Sequence, residues 1–199
     1  EPADFTAPIA GAPALVRAVH AVSGAAPVSV AVAEQLADEA AECLAAHGLS
    51  DVAVVPGSNG QLSHAFSRFV CDNWPLGGDD AVLVHDVRHP LAPAVVAVRV
   101  AAALAQWDVA LPVLPMTDSV KTIAAQGVVL GNVDRTELVA VQHPRGYTAA
   151  ALTRMAEAAT DDVMAVPGLR VGTVEGDPDG FVVDLARDRA VLQAIVTAR

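Results

Sequence analysis

The stretch Leu111-Pro-Val-Leu-Pro-Met-Thr-Asp-Ser-Val-Lys121 joins two parts of the chain that differ in character. An apolar run over residues 109–114 enters this stretch and is typical of a buried strand. From Thr117 to Tyr147 the pattern becomes irregular, with one short apolar run at 127–130 between polar turns. The segment 117–147 is therefore predicted to form an arm that extends from a sheet and is suited to gripping a partner subunit.

Upstream of this stretch, apolar runs alternate with segments of helical periodicity. The apolar runs have the length of buried strands and cover 28–33, 52–55 and 81–85. The intervening segments are predicted to be helical and cover 34–47, 62–72 and 94–106. Strands that alternate with helices predict an α/β protein whose mainly parallel sheet is covered by helices on both faces, in three αβα layers.

The length and charge of the chain limit the classes of protein to which it can belong. Its 199 residues fit one domain, residues 1–199, with a sizeable core. The net charge of −11 argues against binding nucleic acid or anionic membranes, because both require clustered Lys and Arg. No apolar run approaches the roughly 20 residues that cross a bilayer, so we expect a soluble protein. Cys43 and Cys71 show no metal spacing and fit a cytoplasmic location.

The predicted ligand site follows from the predicted sheet. Ligands of parallel sheets bind beyond the carboxyl ends of the strands, which indicates loops 56–63 and 85–90. The second loop contains Asp86, in the run Val82-Leu-Val-His-Asp-Val-Arg-His89. A carboxylate in this position can hold Mg²⁺ against phosphate oxygens, or it can cap the turn that follows through the backbone. The spacing alone favours the cap.

Several motifs, taken in chain order, resemble those of the 2-C-methyl-D-erythritol 4-phosphate cytidylyltransferase family in its actinobacterial form. The family's V-L-V-H-D-A-A-R, P-V-x-D-T-I-K and Q-T-P-Q-x-F have counterparts here, as do shorter motifs such as D-R, T-D-D and V-x-G-D. The corresponding segments are 11–15, 82–89, 112–121, 134–135, 142–147, 160–162 and 174–177. Each motif alone is weakly specific, but together they cover nearly the whole chain.

This resemblance implies a Rossmann-like nucleotidyltransferase fold that forms a homodimer through the arm. It also implies that CTP, or another nucleotide, reacts with methylerythritol phosphate or a similar small polyol phosphate, with Mg²⁺ on the triphosphate and pyrophosphate released. The implied nucleotide contacts are Gly57, Ser63, Asp86 and Val87, with Mg²⁺ at Asp86. The implied substrate contacts are Arg135, His143, Thr160 and Asp161, and the implied catalytic residues are Arg88, Lys121 and Arg135.

The chain departs from the family pattern where the family places cations. The replacements are Ala3 and Val182 for two lysines, and Gly60 and His89 for two arginines. The family's first strand and Gly-rich phosphate loop would precede Glu1, so we expect residues upstream. Because losing one transition-state donor typically lowers turnover by about 10²–10³, we expect weak or lost activity.

Two classes of function therefore stay open. The first is an enzyme of this family, or a relative that uses another sugar or polyol phosphate, in which replacement donors act. The candidate replacements are Arg88, Arg145 and His143. The second is a catalytically silent homologue that keeps the fold and the dimer and serves as a binding or regulatory protein.

Three of the implied site residues also have simpler structural interpretations. Arg135 could pair with a carboxylate of the arm instead of a substrate phosphate. Lys121 could be solvated at the base of the arm. Asp161, together with Asp162, could cap a helix after Thr160.

Overall fold

The computed structural model describes residues 2–24, 26–57 and 66–198, which form alternating helices and strands. The helices are α1 (Ala14–Val22), α2 (Ala37–Ala46), α3 (Phe66–Asn73), α4 (Ala94–Ala103), α5 (Ala149–Glu157) and α6 (Arg189–Thr197). The strands are β1 (Pro8–Ile9), β2 (Ala12–Pro13), β3 (Ser29–Ala33), β4 (Ala53–Gly57), β5 (Ala81–Val84), β6 (Val109–Pro115), β7 (Lys121–Ile123), β8 (Val129–Asn132), β9 (Val139–Val141), β10 (Arg145–Thr148) and β11 (Val171–Glu175).

The main sheet has the strand order β11-β6-β10-β5, and β9 pairs with the last residues of β6. Strand β10 is antiparallel to both β5 and β6, and β11 is parallel to β6, so β5, β6 and β11 run in one direction. Strands β3 and β4 form a separate parallel pair. The α/β class and the largely parallel sheet are confirmed, whereas the antiparallel strand β10 was not predicted.

Helices cover both faces of the main sheet. Successive residues of a strand point to opposite faces, and β5 shows this directly. Val82 and Val84 pack in a cluster with α3 and α5, built around Tyr147 and Leu152. Leu83 packs on the other face, in a cluster formed mainly by α4. The three-layer arrangement follows from this alternation.

The predicted elements differ from the observed ones mainly at their ends. The segment predicted as one helix over 34–47 begins with a short 3-10 turn, Glu34–Leu36, before α2. The helix predicted to end at residue 106 ends at Ala103, after which the chain turns and Trp107 packs against Gly172. The helix predicted over 62–72 corresponds to α3, and residues 58–65 lie outside the described part of the chain.

The arm contains an antiparallel hairpin of β7 and β8. The short strand predicted at 127–130 corresponds to β8, displaced by two residues. Beyond the hairpin, β9 returns to pair with β6, and β10 lies inside the main sheet. The interval 117–147 thus holds both the protruding hairpin and two strands of the main sheet.

None of the helices in the described ranges combines the length and the apolar character needed to cross a membrane.

Candidate functional site

Three segments meet at the carboxyl end of β5. Arg145, the first residue of β10, pairs with Val84, the last residue of β5. The antiparallel register therefore places the residues that precede β10 beside those that follow β5. The third segment follows β11 and is joined to the segment after β5 through its main chain, because the Val183 N–H donates to the Arg88 carbonyl oxygen at 2.9 Å.

Three imidazole rings form the centre of this region. The ring centroids of His89 and His143 lie 4.8 Å apart, and His85 lies 6.2 Å from His143 and 6.5 Å from His89. The Nδ1 atom of His89 lies 2.7 Å from the Gly180 carbonyl oxygen, and that of His143 lies 3.1 Å from the Val84 carbonyl oxygen. A carbonyl oxygen only accepts hydrogen bonds, so Nδ1 carries the proton and Nε2 bears a lone pair in each neutral ring.

The surroundings keep these rings neutral. Burial lowers the pKa of His143 to about 3, and Arg145 and His89 reinforce that effect. Burial also lowers the pKa of His85 to about 4, with a further contribution from His89. The pKa of His89 is lowered by burial, although its hydrogen bond to Gly180 opposes the shift.

Some polar atoms of the cluster are buried without a hydrogen-bond partner among the residues that the structure describes. They are both ring nitrogens of His85 and the Nε of Arg145. Buried polar groups are normally paired, so unpaired groups at one place indicate a site for a further polar partner.

The acidic residue of the region, Asp86, is bound by its neighbour Arg88. Nε of Arg88 lies 3.1 Å from each carboxylate oxygen, and Nη2 lies 2.6 Å from Oδ2. Burial acts to raise the pKa of Asp86, but the hydrogen bonds from Arg88 outweigh it and bring the pKa to about 2. Asp86 Oδ1 also accepts the Arg88 backbone N–H at 2.9 Å, so the predicted turn cap is present.

The Asp86–Arg88 ion pair occupies the carboxylate that the family resemblance assigns to Mg²⁺. Among the described ranges, no group of three or more His, Cys, Asp or Glu side chains could hold a metal ion. Asp86 offers one carboxylate, and both of its oxygens already accept from Arg88. This arrangement does not fit a resident cation, and the assignment of Mg²⁺ to Asp86 stays a prediction.

The remaining implied nucleotide residues are packed within the protein or lie outside the described chain. Gly57 is buried at the end of β4, where it pairs with Ala33. Val87 is half-buried and packs against two apolar clusters, so its side chain has a core role. Ser63, like Gly60, falls in the segment 58–65, outside the described residues.

Thr160 and Asp161 are tied to the start of α3. The Asp161 carboxylate accepts the backbone N–H groups of Phe66 and Ser67 at 2.8 and 3.1 Å, and the Ser67 hydroxyl at 2.8 Å. The predicted capping role is present, but the capped helix lies far upstream in the chain. Asp162 caps a separate 3-10 turn by accepting the Met164 N–H at 2.9 Å.

Lys121 and Arg135 lie on the arm, away from the imidazoles of the same chain. Nζ of Lys121 donates to Asn132 Oδ1 across the β7–β8 hairpin. Arg135 donates through Nη1 to the Thr117 carbonyl oxygen, whereas the simpler interpretation predicts a carboxylate of the arm as its partner. Within one chain, the structure brings together Asp86, Arg88 and His143 but not these two cations.

Sequence reasoning did not place His85, His89 or Gln142 in the site, and it considered Arg145 only as a replacement donor. A signal was present, because His89, His143 and Arg145 are all departures from the family pattern. Their convergence in space could not be read from their positions in the chain.

The chain was compared with known proteins. It matches the family model for 2-C-methyl-D-erythritol 4-phosphate cytidylyltransferase over residues 3–198. A protein of that name from Rhodococcus jostii is 40% identical over 124 residues, which cover 59% of this chain and 55% of the relative. Another from Rhodococcus opacus is 36% identical over 200 residues, covering 94% and 84%.

The fold is likewise similar to that of solved structures. The crystal structure of 2-C-methyl-D-erythritol 4-phosphate cytidylyltransferase from Thermus thermophilus superposes with a TM-score of 0.76. The match covers 98% of this chain and 94% of that chain, at 23% identity. At this level of identity the likeness bears on the fold alone.

Proposed function

The chain belongs to the 2-C-methyl-D-erythritol 4-phosphate cytidylyltransferase family, and we propose that it binds a cytidine nucleotide and a small polyol phosphate at the carboxyl end of β5, with slow cytidylyl transfer. One observation carries the proposal beyond family membership. Arg88, Arg145 and three imidazoles converge at this edge of a chain whose net charge is −11. Cation-capable groups concentrated in an acidic protein favour a ligand that bears phosphate.

The proposed reaction sets the chemical demand on the site. A phosphate oxygen of methylerythritol phosphate attacks the α-phosphorus of CTP, the bond to the β-phosphate breaks, and pyrophosphate leaves. Catalysis of phosphoryl and nucleotidyl transfer depends mainly on positioning and on neutralising the charge of the phosphates. Arg88 and Arg145 are the guanidinium groups available for this at the edge of the sheet.

The Asp86–Arg88 pair gives a reason for slow transfer. The Arg88 side chain is 62% exposed and can reach outward, but its Nε and Nη2 both donate to Asp86. A phosphate bound by the remaining N–H groups of Arg88 would lie beside the Asp86 carboxylate, and the two negative charges repel each other. Val182, which replaces a family lysine, is 59% exposed and offers no charge to compensate.

The proposal includes a homodimer formed through the arm. Three apolar side chains of the hairpin are 61–67% exposed, namely Ile123, Val129 and Leu130. Exposed apolar surface of this kind is typical of an interaction site. In such a dimer, Arg135 and Lys121 of each arm would be available to the substrate phosphate of the other subunit.

The test is an assay of pyrophosphate release with CTP, Mg²⁺ and methylerythritol phosphate, with the Rhodococcus opacus relative as a control. Because several donors are replaced, we expect turnover lower than that of the relative by about 10²–10³ or more. Formation of the cytidylyl product should accompany the pyrophosphate. Turnover equal to that of the relative would contradict the expected slow transfer.

The second candidate is a silent dimeric homologue that binds nucleotide without chemistry. The closed Asp86–Arg88 pair and the exposed Val182 favour it specifically. Calorimetric titration with CTP tests the binding that both candidates share, and an assay for the cytidylyl product with methylerythritol phosphate present separates them. Binding of CTP with no product after prolonged incubation at high enzyme concentration supports the silent homologue, whereas slow product formation that scales with enzyme concentration supports the enzyme.

A further inference from the structure

We propose that His89 and His143, together with Arg145, form a phosphate-binding site that takes up a proton from solvent when a phosphate group is bound. The inference rests on the proposed function, because the anion would be a phosphate of the nucleotide or of the polyol phosphate. It adds that this chain has a titrating imidazole, His89, where its family has an arginine, and a second imidazole, His143, beside it, so that its affinity for phosphate depends on pH.

The geometry of the two rings is the first support. Their centroids lie 4.8 Å apart with planes tilted by 37°. Each Nδ1 is fixed by a main-chain carbonyl oxygen, so protonation of either ring occurs at Nε2. A proton at that atom converts a lone pair into an N–H donor without disturbing the bond that orients the ring.

The buried polar atoms of the cluster are the second support. Nε of Arg145 and both ring nitrogens of His85 lack a hydrogen-bond partner in the part of the chain that the structure describes. A phosphate group carries several acceptor oxygens and can satisfy more than one donor at the same place. A bound anion would therefore supply the acceptors that the buried donors of the cluster lack.

The charges that face the two rings explain why the proton arrives with the ligand. Those on the segment after β5 are Asp86, Arg88 and the His85 ring, and the one on β10 is Arg145. The segment after β11 contributes the Gly180 carbonyl oxygen. Arg145 opposes a proton on either ring, Arg88 adds to that effect at His89 and His89 adds to it at His143, whereas Asp86 favours the proton on both. A bound phosphate dianion moves the balance toward the cationic form, because an opposite charge favours that form.

The same surroundings favour an anion over a metal ion. The two Nε2 lone pairs could bind a metal, but Arg145 and Arg88 place positive charge beside them. No described group of side chains meets the requirements of a metal site. The two rings are close enough to titrate as a pair, so one shared proton is expected for each bound phosphate.

The experiment is calorimetric titration with inorganic pyrophosphate and, separately, with CTP. Each titration is run at pH 6 and pH 8 in two buffers of different ionisation enthalpy, which measures the protons taken up. We expect about one proton per ligand at pH 6, and affinity that weakens by about tenfold per pH unit over part of this range. The proteins compared are wild type, H89N, H143N and the double variant.

The asparagine variants keep a hydrogen bond to the main-chain carbonyl oxygen but remove the imidazole that takes up a proton. The Asn amide can still donate to the carbonyl oxygen that Nδ1 reaches in the native ring, but it takes up no proton. H20N is the matched control, because His20 is exposed on α1 and lies outside the cluster. The ligand's own phosphate titration is common to all the proteins and cancels in the difference between them.

The expected result is proton uptake in wild type and H20N that is lost in the double variant, which still binds pyrophosphate at pH 8. Equal proton uptake in wild type and double variant would overturn the proposal. Failure of the wild-type protein to bind pyrophosphate at both pH 6 and pH 8 would overturn it as well. The proposed function is judged separately. If the protein transfers cytidylyl groups but takes up no proton on binding, the proposed function stands and this inference fails. If it takes up a proton on binding pyrophosphate but transfers no cytidylyl group, this inference stands and the proposed transfer fails.

Discussion

The side-chain amide of Gln142 holds the main chain of Asp177 at both of its polar groups. Nε2 donates to the Asp177 carbonyl oxygen at 2.8 Å, and Oε1 accepts the Asp177 N–H at 2.8 Å. Gln142 is buried, and a Cβ atom at Gly176 would lie 2.2 Å from Oε1. The segment after β11 is thereby fixed against the residues that precede β10.

Replacing Gln142 with Leu should loosen this segment, because the Asp177 N–H loses its acceptor and the Asp177 carbonyl oxygen keeps only the Gly180 N–H. We expect the free energy of unfolding to fall by about 1–3 kcal/mol and the Asp177 amide to exchange faster with solvent. Urea denaturation and hydrogen exchange measure the two effects. The control is Q193L, an exposed glutamine on α6. An unchanged exchange rate for the Asp177 amide in Q142L would contradict this account.

A second prediction concerns Gly172, which packs under the indole of Trp107. A Cβ atom at this position would lie 2.4 Å from the ring. We expect G172A to lower the free energy of unfolding by about 1–3 kcal/mol through overpacking. G78A is the control, since a Cβ there meets nothing within 4 Å.

The cause can be isolated with a double-mutant cycle. In a W107A background, G172A should be far less destabilising than in wild type, because the clashing ring is gone. Equal destabilisation in both backgrounds would show that the ring is not responsible.

A third prediction follows from the cap that Asp161 provides to α3. Removing the carboxylate in D161A leaves two backbone N–H groups and the Ser67 hydroxyl without their acceptor. We expect a loss of about 1–2 kcal/mol in stability, larger than that of D162A, which uncaps only a 3-10 turn. Thermal denaturation of both variants is the measurement, and an equal effect from each would contradict the assignment.

The fourth prediction concerns acid stability. The folded-state pKa values of His85 and His143 are lowered to about 4 and about 3 by burial. Below the unfolded value near 6.5, the unfolded chain binds more protons than the folded one. Stability is therefore fully present above pH 6.5 and is lost as the pH falls toward those folded values. Between pH 7 and pH 5 the loss is about 2 kcal/mol for each ring.

Urea denaturation at several pH values tests this dependence. H143N should show a shallower loss of stability between pH 7 and pH 5 than wild type, because one of the rings is gone. H20N is the control for replacing a histidine outside the cluster, because His20 lies exposed on α1. A wild-type stability that does not change over this range would refute the prediction.

The fifth prediction concerns the hairpin. If the exposed Val129 and Leu130 lie in a subunit interface, then placing charge there by V129D and L130D should separate the subunits. Light scattering coupled to size exclusion should report a dimer for wild type and a monomer for the double variant. V191D on α6 is a control with comparable exposure. A wild-type monomer at micromolar concentration would contradict the proposed dimer.

The sequence predicted the elements that show a clear apolar run or helical periodicity, such as β3, α2, β4 and β6. It missed β10, because Arg145-Gly-Tyr-Thr148 has no apolar alternation and becomes a strand through its two neighbours. Burial between β5 and β6 overrides the weak local preference of these residues.

Those parts of the site that follow a clearly predicted strand were predictable from the sequence. Asp86 and Arg88 follow a recognisable strand, so their place at the edge of the sheet could be foreseen. The meeting of His89 with His143, and the capping of α3 by Asp161, join residues distant in the chain. Such pairings depend on the antiparallel insertion of β10 and on the packing of α3, which no local pattern records.

The hairpin bond between Lys121 and Asn132 has a practical consequence. Lys121 is the only lysine in the 199 residues, so the arm carries the sole side-chain amine of this chain. Among the side chains of this sequence, an amine-directed acylating dye would therefore mark the arm, and the α-amino terminus is the other group that it would label. The rate of labelling would give a direct optical readout of whether neighbouring subunits shield that arm.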